Sequence, residues 1–333
     1  MARVFFQIWL AAASLVAGQS TTCPNGVAIY NQQDRTMSTI SSWFLVPVPK
    51  DAVKKALKES FPSLVNLQGL NLLPLPAGLN FPDGMHPVIV NAGANTDIRQ
   101  GGLQLATGLM TASSMIPYIG IGSSKTPLNA PLVSYLAGVD EVTQGFVFGL
   151  VPSLVATIGG LLTRIGAFLP LNAPLQIYSD GTVGINSKWA QAPNPISGPG
   201  LYSEAIDFKF VSEPNQASPR YPLKMWKSML NQPLMLGSIG SLLAPKCQRN
   251  TQFFNNSTAQ PTFRSGNVTL GPSAGVDVLS ATLQKASPDG SGFYQKVYGF
   301  TACAQTVGYG AVVPLGEDCE AAARAVKNTP GAL

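Results

Sequence analysis

Between Val142 and Thr163 the chain reads VTQGFVFGLVPSLVATIGGLLT and carries no Asp, Glu, Lys or Arg. A run of this kind has three physical outlets: a membrane span, a buried core element, or the wall of an apolar pocket. Pro152, the glycines at 145, 149, 159 and 160, and the lack of positive flanks apart from Arg164 all oppose a span. The run is therefore expected inside a globular domain, and no stable membrane span is expected.

The surrounding composition favours short strands and turns over long helical bundles, since Gly and Pro number 33 and 27 while charged residues are only 11% of the chain. STISSWFLVPV (38–48), HPVIVNAG (86–93), LQLATGLMTASSMIPYIGIG (103–122) and PLVSYLAG (131–138) read as strands. PLQIYSDGTVGIN (174–186) places two apolar runs around Asp180-Gly181, a hairpin signal. Two more strands are expected around SPDGSG (287–292). Helices are expected in three places. In PKDAVKKALKES (49–60), Val53, Ala56 and Leu57 form one face and Lys50, Lys54 and Lys58 another. The others are LKMWKSMLNQP (223–233) and the Ala-rich end from Glu317 to Asn328. QAPNPISGPG (191–200) and SEPNQASPRYP (212–222) read as surface loops. No repeat or low-complexity linker divides the chain, so one mainly β (α+β) domain with a few peripheral helices is expected.

Several features point to export. Residues 1–18 (MARVFFQIWLAAASLVAG) have an early Arg, an apolar run and small residues at the end, the layout of a signal peptide that would leave residues 19–333 as the mature extracellular domain. Cys23, Cys247, Cys303 and Cys319 are an even set suited to two disulfides, with three pairings open. Asn255, Asn256 and Asn267 head glycosylation sequons. The cysteine spacings and the single histidine, His86, give no metal site. The net charge of +5 is modest, and the lysine face at 50–58 is an ordinary solvated one, so no nucleic acid partner is expected.

The usual catalytic signatures are missing. There is no Gly-x-Ser-x-Gly, a histidine-dependent triad could use only His86, and no pair of carboxylates stands out for glycoside chemistry. No glycine fingerprint for phosphate or dinucleotide lies between a strand and a helix, and no cofactor is expected.

One segment does resemble a known family. PLVSYLAGVDEVTQGFVFGLVPSLVA (131–156) is similar to the core of acetoacetate decarboxylases, with Tyr135-Leu136 ending a strand, Asp140-Glu141 in an acidic turn, then Gly145 and Pro152. SWFLVPVPKDAVKKAL, HPVIVNAG and PLQIYSDGTVGIN follow the family's order, so the resemblance runs over residues 40–310. It implies a barrel or cone of antiparallel strands. In that family two lysines follow the proline; the first forms a Schiff base with a β-keto acid and the second lowers its pKa. Ser153 and Leu154 occupy those positions here, and no Asp or Glu occurs between Asp97 and Asp140, where Asn91, Gln104 and Thr107 stand instead.

The resemblance thus implies a secreted, fungal-type member without the lysine pair. Its pocket is expected among Phe146, Phe148, Val151, Pro152, Ser153 and Leu154, with Arg99, Gln104 and Tyr135 as further pocket candidates. Arg99 is the candidate for holding a carboxylate. Three functions follow: binding of a small molecule without imine chemistry, noncovalent catalysis on a keto or enol substrate in secondary metabolism, or a decarboxylase whose lysine has moved to Lys125 or Lys188.

Overall fold

A computed structural model describes residues 23–333 apart from 63, 65–68, 102, 106, 140–145, 191–200, 238–245, 256 and the stretches 272–277 and 311–315. The expected leader, the loop at 191–200 and Asn256 lie outside the described residues.

Nine strands form a closed barrel: β1 (Arg35–Pro49), β2 (Met85–Gln100), β3 (Leu109–Ile121), β4 (Leu128–Gly138), β5 (Thr163–Leu169), β6 (Val183–Ala190), β7 (Leu201–Ser212), β8 (Thr262–Leu270) and β9 (Phe293–Gly308). Each pairs with the next along the chain, and β9 closes the ring on β1, with Arg35 opposite Gly308 and Leu45 opposite Tyr298. Strand directions alternate around an antiparallel ring, so an odd number of strands leaves one neighbouring pair parallel. That pair is β4 and β5, in register from Ser134↔Thr163 to Leu136↔Ile165.

A parallel pair needs a crossover, and the charge-free run supplies it as α2 (Phe146–Ile158). Pro152 deprives this helix of one internal hydrogen bond. Gly149 lets it lie close on β4, because a Cβ there would stand 3.1 Å from the Ala137 Cα and 3.2 Å from the Leu136 carbonyl oxygen.

The barrel lumen is packed. Phe44 on β1 meets Phe208 and Phe210 on β7 with ring centroids 5.2 Å apart, a contact that spans the lumen because β8 and β9 separate those strands in the ring. One apolar cluster draws on all nine strands, among them Val90, Met110, Tyr135, Phe168, Ile185, Val268 and Val297. α1 (Lys50–Ser60) follows β1 directly, and its Val53-Ala56-Leu57 face joins this cluster as expected.

Upstream of SPDGSG the expected strand is instead a helix, α4 (Val278–Lys285). Thr282 and Leu283 are buried side by side against α1, with Leu283 in the luminal cluster and the Thr282 hydroxyl donating to Glu59 Oε2 at 2.7 Å. The two helices cover the end of the barrel at which β1 finishes.

Outside the ring, α3 (Leu223–Leu230) packs Trp226, Met229 and Leu230 against Trp43, Phe300 and Phe254. Trp43 stacks on Phe300 at 5.0 Å. Short strands Leu234–Met235 and Asn250–Phe253 pair with β4 and β9 and extend this outer layer. The cysteine pairing is Cys23–Cys303 and Cys247–Cys319; the second ties the outer layer to α5 (Cys319–Asn328).

Candidate functional site

Side chains alternate across a strand, so a residue next to a luminal one faces outward. On β1 to β5 the cross-strand row Trp43, Asn91, Ser113, Ser134, Thr163 runs along the outer wall of the barrel. These residues are the floor of a cavity of about 200 Å3. Ala156 and Leu161, at the end of α2 and just beyond it, and Leu230 and Leu234, at the end of α3 and beyond, contribute to its sides, as do Asn250 and Gln252. The site therefore lies between the barrel wall and the crossover helix, outside the filled lumen.

Its chemistry is that of hydroxyls and carboxamides beside apolar groups. The Ser113 hydroxyl donates to Asn91 Oδ1 at 2.5 Å. Asn95 Oδ1 and Gln252 Oε1, both on residues of the lining, are sealed from solvent and find no donor among the described residues. Behind Asn250 stands Arg35, whose Nη2 donates to Asn250 Oδ1 at 3.0 Å. Burial holds the Arg35 pKa below its ordinary value. Because Asn250 Oδ1 is engaged there, its amide nitrogen remains as a donor. Among the described lining residues none carries an amine, imidazole, thiol or carboxyl group, so this lining offers no general acid or base and no nucleophilic lysine.

Neither family models nor curated protein sequences match this chain. Solved structures do overlap it. The enduracididine biosynthesis enzyme MppR, complexed with the condensation product of pyruvate and imidazole 4-carboxaldehyde, aligns over 83% of this chain and 87% of its own, at 11% identity and a TM-score of 0.46. The same enzyme with HEPES buffer bound gives 0.45 at 11% identity, covering 83% of this chain and 86% of that one. An acetoacetate decarboxylase-like enzyme from Sphingomonas wittichii RW1 gives 0.43 at 11% identity, covering 83% and 91%. Likeness at this level says nothing about chemistry.

The residues named from sequence do not converge on one cavity. Val151 and Leu154 project into solvent, 65% and 56% exposed, and so are not lining an interior pocket. The helical period puts them on the side of α2 away from the barrel. Pro152 is half-buried beside them, and the side chains of Phe146 and Phe148 lie outside the described residues. Ser153 is buried, one helical turn beyond Gly149, and its Oγ has no hydrogen-bond partner among the described residues. Tyr135 is buried in the luminal cluster, on the opposite side of the wall from Ser134.

Arg99 and Gln104 line a separate, larger hollow of about 390 Å3 near Asp34 and Ile29. Two nitrogens of the Arg99 fork are already engaged by Asp97, at 2.7 and 3.0 Å, and Gln104 donates to the same carboxylate at 2.7 Å. Lys125 is exposed, so it does not meet the burial a relocated catalytic lysine requires. Lys188 sits on β6, with its side chain outside the described residues. Of the residues singled out from sequence whose side chains are described, Asn91 alone lines the wall cavity. Ser113, Ser134, Asn95 and Gln252 were missed because small polar residues alternating with apolar ones read as an ordinary solvated strand face.

Proposed function

We propose that this chain is a secreted, disulfide-linked protein of one domain (19–333) that binds a small uncharged molecule in the wall cavity and forms no imine with it. The neutral lining of that cavity carries the reading: the hydroxyls and carboxamides of Ser113, Ser134, Asn91 and Asn250 beside an apolar side formed by Leu136, Ala156, Leu161 and Leu230. At about 200 Å3 the cavity is smaller than the usual pocket for a drug-sized ligand, roughly 300–1,000 Å3, which suits a small metabolite with hydroxyl or amide groups. Export is supported by the leader sequence, by the two disulfides and by the sequons. Asn255 is exposed, and Asn267 sits where β8 shifts register against β9.

Intact mass after borohydride treatment, with acetoacetate and with a bulkier β-keto acid, tests the noncovalent part. No adduct is expected with either acid. A stable adduct, mapped to its lysine, would revive Schiff-base catalysis.

A further inference from the structure

We infer that the outward face of α2 is a docking surface for a second copy of this chain. Leu150, Leu154 and Ile158 stand four residues apart along the helix, with Val151 and Val155 beside them, so the five form one stripe. Each is between 45% and 76% exposed. The opposite side of α2 is already used, with Gly149 against β4 and Ala156 on the cavity. Together the stripe presents on the order of 500 Å2 of aliphatic surface, at the upper end of what a monomer ordinarily leaves open.

Two observations select the occupant. The chain carries a net charge of +5, so most approaches of one copy to another meet like charge, whereas Val142 to Thr163 carries no charged residue. A two-fold pairing that covered the whole stripe would bury at most about 1,000 Å2 in total, the threshold a specific interface has to reach. A lipid surface fits less well, because helices that lie on bilayers set a Lys- and Arg-rich face beside the apolar one, and α2 has neither residue. In an isologous contact a residue near the axis meets its own copy, which makes Leu154, central in the stripe, the decisive position.

Sedimentation velocity of the full glycosylated protein, over a range of concentrations and at low and high salt, tests this. The wild type is expected to form a dimer that persists in high salt. Leu154→Glu is expected to give a monomer with an unchanged thermal midpoint, and Leu154→Met a dimer. Should Leu154→Glu lower the midpoint, Ile158→Lys takes its place with the same expectation. A wild type that stays monomeric to its solubility limit would overturn the proposal, as would a dimer that survives the charged substitution. A monomer that instead floats with phosphatidylcholine vesicles would overturn it in favour of a lipid surface.

Discussion

His86 is 1% exposed and its Nε2 donates to the Pro117 carbonyl at 2.8 Å. Burial pulls its pKa down to about 4; the bond to Pro117 opposes that shift and the charge of Lys50 adds to it. The unfolded imidazole titrates near 6.5, so the folded state binds fewer protons below that pH. The stabilisation is whole above about pH 6.5 and is lost as pH falls toward 4, by about 3 kcal/mol at most. His86→Gln should therefore flatten the decline in stability between pH 6.5 and 4.5 measured by denaturant unfolding; an unaltered slope would show that other groups cause it. The histidine's structural role was legible in the sequence because it is alone, without the partners a site requires. The role of Arg99 was not, since Asp97, two residues before it on β2, stands at φ 46° in a register shift against β1 that spacing does not record.

At the scale of elements, the amphipathic face of α1 and the Asp180-Gly181 hairpin were plain from period and turn chemistry, and both appear in place, with Gly181 at φ 77°. The charge-free run was legible as buried or pocket-forming but not as a helix with one wet side, because its residues are apolar on every face. What fixes α2 is the parity of the ring, a property of nine strands together. Gly149 is where helix and wall meet most closely, so Gly149→Val should push α2 off β4 and cost about 2 kcal/mol, read as a lower thermal midpoint. An unchanged midpoint would show that the helix is not seated on the wall. The second helix at odds with its sequence, α4, shows the same limit: the burial of Thr282 and Leu283 against α1 is a contact that no local pattern records.

For the whole molecule, local alternation and turn chemistry predict a mainly β domain, while barrel closure, with β9 joining β1 across most of the chain, depends on contacts that no local pattern records. One disulfide, Cys23–Cys303, reinforces that closure, and the other clasps the outer layer to α5. Cys23–Cys303 spans 280 residues and Cys247–Cys319 spans 72. Restriction of the unfolded chain contributes, as upper figures, about 5.6 kcal/mol for the first and about 4.4 kcal/mol for the second, so Cys247→Ser with Cys319→Ser should lower the denaturation midpoint clearly, whereas no change would mean the outer layer holds without its clasp. The site itself lay mostly beyond reach of the sequence, because a row formed by five strands and a helix end is assembled only when the ring closes. Native mass spectrometry of the secreted protein beside its Ala156→Phe variant tests the central reading most directly. The account predicts a small neutral molecule retained by the wild type and lost from an equally stable variant whose new ring fills the cavity. Retention by the variant would place the ligand elsewhere, and wild-type protein that carries nothing and takes up no small polar metabolite would contradict the binding function.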